Sequence, residues 1–252
     1  LIGINNVKYL CPFTLVGDDQ KLGTKIIVSN ITFVRVKISL SGVSIIFKNI
    51  MFVNCNFTEV EKINSLQIYL TFSQIIWTSN GISSNILKLS NVSMIHLSIF
   101  KSVLLNVFIS IDCEKGSLHF EKARFSATSG NIIKAFSIIT VSMTRSKNAT
   151  KKGSKFQMSR NTIRLHKVWV MSNNRKSSCV SNFIAIQMSS LELDVGNSSF
   201  AAVPQPFKII LGDTKSRKSP YMFSINVSGC KFMLNFGATF GVLNIYIPDR
   251  WS

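Results

Sequence analysis

Eleven carboxylates, three histidines and five cysteines are the side chains of this chain able to carry acid–base, nucleophilic or metal chemistry. Three acid pairs, Glu59/Glu61, Asp112/Glu114 and Glu192/Asp194, are spaced i, i+2, which puts both acids on one side of a strand. Such pairs could serve as calcium ligands or as acid and base across a sugar. The solvated face of any strand has the same spacing, and no carboxylate recurs at one position of adjacent repeats. Asp18 and Asp19 sit in a Gly-Asp-Asp-Gln turn. His96 reads as a satisfied strand residue, and His119 and His166 read as outward-facing; none accompanies a Ser or Cys in a nucleophile motif. Cys11, Cys55, Cys113, Cys179 and Cys230 are scattered, without a CxxC pair or a His at ligand spacing, which argues against zinc. No catalytic residue, metal ligand or cofactor is assigned.

Charge gives the one positive signal. The chain carries 29 basic and 11 acidic residues, a net +18, whereas about 2–8 charges keep a small domain soluble. The excess lies mostly after Gly130. A polar stretch holds Arg145, Lys147, Lys151 and Lys152, a second loop holds Lys215, Arg217 and Lys218, and Arg175-Lys176 follows Asn173-Asn174. Fields of this sign gather polyanions. Nucleic acid would require aromatics interleaved with the cations, and the nearby Phe156 and Trp169 read as core residues. An acidic glycan is therefore the expected ligand of the first two groups, at 145–152 and 215–218, with Lys122, Arg124, Arg164 and Lys167 extending the strip along the coil faces.

The elements that must position these loops follow from a repeat, the feature to seek first in any chain. One eight-residue template recurs: apolar, any, apolar, any, polar, any, any, large apolar. It reads at 26–33, 45–52, 70–77, 87–94, 118–125, 163–170, 193–200 and 225–232. The first two apolar positions alternate, as in a strand facing a core. The polar fifth position (Asn30, Asn49, Gln74, Asn91, Lys122, Lys167, Asn197, Gly229) predicts a left-handed corner, to which Asn and Gly are suited. The large apolar residue three positions later opens a second inward strand. Such a unit cannot bury its own face, so copies must stack into one continuous core. The long interval between the copies at 118 and 163 predicts an additional turn around Ile138–Val141 and an inserted basic loop.

On this template the chain resembles the pectin-lyase-like right-handed parallel β-helix, in which an Asn-bearing turn joins two strands of each coil. The resemblance covers roughly residues 24–235 and extends to β-helix segments of large animal surface proteins. It implies an all-β fold, a right-handed parallel β-helix (β-solenoid) with irregular loop insertions. An antiparallel β-sandwich is the alternative, because short strands with frequent turns fit it too. A leucine-rich repeat would need a regular Leu/Asn period, which the irregular intervals lack.

Hydrophobic residues make up 46% and charged residues 16%, a composition of half-buried strands and not of solvated helices or disorder. No apolar run approaches the ~18 residues of a membrane span. The chain starts at Leu1 without a charged leader, so residues 1–252 are expected to be one solenoid domain of a longer chain, with its other domains as neighbours. Sequons at Asn30, Asn56, Asn91, Asn148, Asn197 and Asn226 favour an extracellular or cell-surface location. The expected function is a non-catalytic structural or ligand-binding module for acidic polysaccharide; the alternative is a polysaccharide lyase or glycoside hydrolase.

Overall fold

The computed structural model describes residues 2–3, 8–9, 13–16, 25–41, 44–59, 67–78, 85–128, 137–143, 161–173, 182–188, 190–211, 222–233, 241 and 243–246. Its elements are β-strands, and all 23 strand pairings among them are parallel. The all-β, parallel class is as expected, and the antiparallel sandwich is excluded.

Three stacks of strands carry the chain path. The first includes Lys25–Ser29, Ser44–Lys48, Gln67–Ser73, Thr162–His166, Ser190–Gly196 and Met222–Ser228. The second is a nine-stranded sheet of mostly three-residue strands, among them Thr32–Val34, Met51–Val53, Ile76–Thr78, Val103–Leu105, Arg124–Thr128 and Trp169–Asn173. The third includes Lys37–Ser41, Asn56–Glu59, Ser137–Met143, Asn182–Met188 and Phe207–Leu211. Two long strands, Asn85–Phe100 and Val107–Glu121, run from the third stack straight into the first and join both into a sixteen-stranded sheet. The chain visits first, second and third stack in turn, then returns to the first one strand further along.

Alternation makes these strands. Gln67–Ser73 reads half-buried at every odd position and buried at Ile68, Leu70 and Phe72. In-register parallel pairing then places like residues over one another. Phe33, Phe52, Trp77, Leu104, Phe125, Val170 and Phe200 form one inward ladder through the second stack. Phe33 stacks on Phe52 with ring centroids 5.4 Å apart, and Phe47 on Phe72 at the same distance. Phe57 and Trp77 close this aromatic block edge-on at 4.9 Å. Buried apolar residues from Val28 to Ile209 belong to one continuous cluster.

Two corners turn the chain. At the first, between first and second stacks, Asn30, Asn49, Gln74, Lys101, Lys122, Lys167, Asn197 and Gly229 all have φ between 47° and 61°. Seven of these eight match the template. The exception corrects it: Asn91 lies inside the strand Asn85–Phe100, near a register shift between Leu89 and Val92, and the corner of that coil is Lys101. Sequence 97–104 (LSIFKSVL) fits the same template one stack later. A second correction concerns the long interval. Thr162–His166 pairs directly with Val107–Glu121, and Trp169–Asn173 directly with Arg124–Thr128, so no additional turn lies between them. Ser137–Met143, which contains Ile138–Val141, is that coil's strand in the third stack. The second corner was not foreseen: Arg35, Asn54, Asn106 and Ala202 have φ of 54–56° and each follows a first-corner residue by five positions.

Candidate functional site

The first corner brings the cations together. Each corner amide donates to the carbonyl just before the next corner: Gln74 to Phe100 at 3.0 Å, Lys101 to Glu121 at 3.0 Å, Lys122 to His166 at 3.0 Å, and Lys167 to Gly196 at 2.9 Å. These bonds fix the rung spacing, ~4.8 Å in any sheet. Lys101, Lys122 and Lys167 therefore occupy three successive rungs as an exposed column. Left-handed backbone is uncommon for Lys, and each of the three residues holds it only because the rungs on both sides fix the corner.

Beside this column runs a second ladder, the last outward position before the corner: Lys48, Ser73, Phe100, Glu121 and His166, each in register with the next. A shallow depression of about 390 Å³ opens between the two ladders, lined by Lys48, Ser73, Gln74, Phe100, Lys101 and Glu121. The Phe100 ring is braced edge-on by His119, centroids 5.1 Å apart. Glu121 reaches Lys122 Nζ at 3.7 Å, a half-exposed pair that water screens and that leaves the lysine available. Across the corner, the Arg124 guanidinium lies 3.6 Å over the Trp169 ring, which holds another cation on the outer face of the second stack.

The outer face of the first stack also carries all three histidines. His166 Nε2 lies 2.8 Å from Asp194 Oδ2, and Asn226 Nδ2 donates to Asp194 Oδ1 at 3.0 Å. Arg164 faces Glu192 at 3.7 Å. His96 stacks on Tyr69 at 4.7 Å and shares a 2.7 Å hydrogen bond with Ser117 Oγ. Burial holds the His96 and His119 rings below the usual histidine range; Lys115 adds to this at His96, while at His119 Glu121 opposes it and Arg164 and His166 reinforce it. The outward reading of His119 and His166 is as expected. Glu192 and Asp194 share one face as their spacing predicts, and each meets a basic partner instead of the other. Among the described residues no three His, Cys, Asp or Glu side chains gather as a metal site.

Of the strip read from sequence, Lys122 and Lys167 stand in the corner column, Arg124 and Arg164 on its two flanks. Arg145, Lys147, Lys151, Lys152, Lys215, Arg217 and Lys218 lie outside the described residues, as do Asn148, Cys11 and Cys179. Lys48, Lys101 and Phe100 were missed, because placing the corner at Asn91 put Lys101 nowhere in particular. Asn30 and Asn197 are exposed at corners, Asn56 and Asn226 are exposed on strands, and for Asn91 only the backbone is described.

The described cysteines, Cys55, Cys113 and Cys230, carry no disulfide. Cys55 and Cys230 follow corner residues and turn their thiols to backbone carbonyls, Phe33 at 3.3 Å and Ser228 at 3.3 Å. Burial pushes the Cys113 thiol up to about 12, helped by the negative charges of Asp112 and Glu114. Such thiols pack and do not attack. Among the described residues no helix is long and apolar enough to cross a membrane. Comparison with protein-family models, with curated proteins and with solved structures gives no match.

Proposed function

We propose that this chain is a right-handed, pectin-lyase-like β-helix module, extracellular or on a cell surface, that binds acidic polysaccharide without transforming it. The observation that carries the reading is the column Lys101, Lys122 and Lys167, one exposed cation per rung over three rungs, flanked by Arg124 and Arg164. A flexible lysine on a fixed corner presents a point charge able to meet carboxylate or sulfate alike. Charges repeated along the stacking direction favour a linear polymer lying across the strands. The basic residues of 145–155 and 215–218, which lie outside the described residues, add to the chain's positive charge. Exposed sequon asparagines, Asn30, Asn56, Asn197 and Asn226, agree with passage through a secretory route.

The test is affinity for immobilised heparin under a salt gradient, against a neutral polysaccharide. Retention by heparin alone is expected, with elution at clearly lower salt for the triple variant Lys101→Gln, Lys122→Gln, Lys167→Gln. Equal behaviour of variant and parent would remove the corner from the reading; no retention near physiological salt would remove the reading itself.

A second reading has one observation in its favour. The His166–Asp194 contact at 2.8 Å, with Asn226 steadying the carboxylate, is an arrangement able to take a proton from a substrate. A lyase or hydrolase of acidic polysaccharide would then use the corner cations to hold its polymer. Incubating a uronate polymer with the chain and following unsaturated or reducing ends decides it; release abolished by His166→Gln would favour the catalyst.

A further inference from the structure

The corner column explains attraction of polyanions in general, but the depression beside it has a more particular composition. It combines an aromatic ring, Phe100, two cations, Lys48 and Lys101, and three hydrogen-bonding side chains, Ser73, Gln74 and Glu121. A phosphate or sulfate ion alone would have no use for the ring. At about 390 Å³ the space falls at the lower end of small-ligand sites, ~300–1,000 Å³.

Its parts are set by the fold. Phe100 stands between Ser73 and Glu121 in the outward ladder, with Lys48 one rung beyond Ser73. Gln74 and Lys101 are the corner residues of two adjacent rungs, their amides bonded to the carbonyls of Phe100 and Glu121. The ring is half-buried and packs perpendicular to the His119 ring, so its position is held before any ligand arrives. Burial keeps His119 mostly neutral near pH 7, so it braces without adding charge.

From this composition we infer that the depression is a subsite for one anionic pyranose unit of a polysaccharide. The C–H face of the sugar lies on Phe100, whose negative ring face suits those weakly positive hydrogens. Lys48 and Lys101 take the carboxylate or sulfate. Ser73, Gln74 and the Glu121 carboxylate bond the hydroxyls. Glu121 also repels a second anion on the same unit, which selects chains with one charge per sugar at this point. The inference rests on the proposed polysaccharide-binding reading and sharpens it to a substrate class.

The experiment is titration calorimetry with three size-defined hexasaccharides: one carboxylate-only uronate, one sulfated and one neutral. Saturation-transfer NMR on the parent protein accompanies it. The acidic hexasaccharides bind and the neutral one does not; the uronate binding the tighter identifies carboxylate as the favoured anion, the sulfated one binding the tighter identifies sulfate, and both support the subsite. Phe100→Leu weakens binding about threefold to tenfold, the worth of one aromatic face, with the salt dependence unchanged. Lys101→Gln weakens it and flattens the salt dependence, and Phe100→Tyr retains it. On the parent, saturation reaches the ring C–H protons of one sugar face. An unchanged affinity in Phe100→Leu, with Lys101→Gln still weakened, overturns the subsite and leaves the polyanion reading intact. Saturation spread evenly over the sugar, or equal binding of the neutral hexasaccharide, overturns it as well. Should no acidic hexasaccharide bind, the underlying reading fails together with the subsite.

Discussion

The amide of Lys101 donates to the carbonyl of Glu121 at 3.0 Å, and Glu121 immediately precedes Lys122, so the two lysines are held on adjacent rungs with like charges facing outward. Both have left-handed backbone, φ 47° and 53°. The corner is thus unfavourable twice over, in conformation and in charge.

Relieving that repulsion is expected to stabilise the fold. Lys122→Gln removes a charge flanked by Lys101 and Lys167 and gives up only the half-exposed pair with Glu121, so it should raise the unfolding midpoint at low salt by an amount equivalent to a few tenths of a kcal/mol. The gain should vanish at high salt, where screening removes it for the parent too. Lys122→Asn should add about 0.5–1 kcal/mol at any salt, because Asn tolerates the left-handed region better. Denaturant midpoints at two ionic strengths check both; a salt-independent gain from Lys122→Gln would show that charge is not the cause.

Acid should weaken the protein through His96 and His119. Both rings are held below their unfolded value, so the unfolded chain binds the protons first. The associated stability is full above the unfolded value, about 6.5, and is lost as the pH falls through the lower folded values. Urea midpoints at pH 7.5 and pH 5.5 should differ, and the double variant His96→Gln, His119→Gln should narrow the difference.

The aromatic block should be the costliest place to open a hole. Phe52 has ring neighbours Phe33, Phe47, Phe57 and Trp77 at 5.1–5.6 Å. Phe52→Ala is expected to destabilise by about 3–5 kcal/mol, the range for a buried phenylalanine. Met233→Ala, at a side chain 48% exposed on the last described rung, should stay within about 1 kcal/mol.

Gly116 lies within the long strand Val107–Glu121, paired with Ile95, and its amide donates to Asn161 Oδ1 at 3.0 Å. A Cβ there would run into the Ile95 carbonyl oxygen and lie 2.6 Å from Ile95 Cγ2. Gly116→Ala should therefore cost about 1–3 kcal/mol through overpacking against backbone. Gly241→Ala, with open space around it, should be silent in the same unfolding assay.

Much of this architecture was legible before any coordinates, because parallel in-register stacking repeats one local rule. At seven of the eight template copies, where an apolar pair alternates and a polar residue follows, the chain turns. The failure at Asn91 is instructive. Residues 87–94 and 97–104 fit one template equally, and only the register shift between Leu89 and Val92 decides that the strand continues. Periodicity reports which residues face inward and not which stack they join, so Lys101 was lost along with the corner. The second corner had a signal, a polar or small residue five positions after the first, as at Asn49 and Asn54. It went unread because Arg35 and Ala202 share no chemistry with Asn54 and Asn106. The depression at Phe100 needs four rungs at once, those of Lys48, Ser73, Phe100 and Glu121, a relation no single stretch of sequence contains.

The parallel pairing has a mechanical consequence. Every inter-strand hydrogen bond in the described stacks points along the direction in which rungs accumulate. A pull applied between the first and last rungs would load those bonds in series, so the weakest rung yields first and its neighbours follow one by one. The same force applied along the strands would be shared by many bonds in shear. Tension along the stacking direction would thus unspool such a molecule gradually.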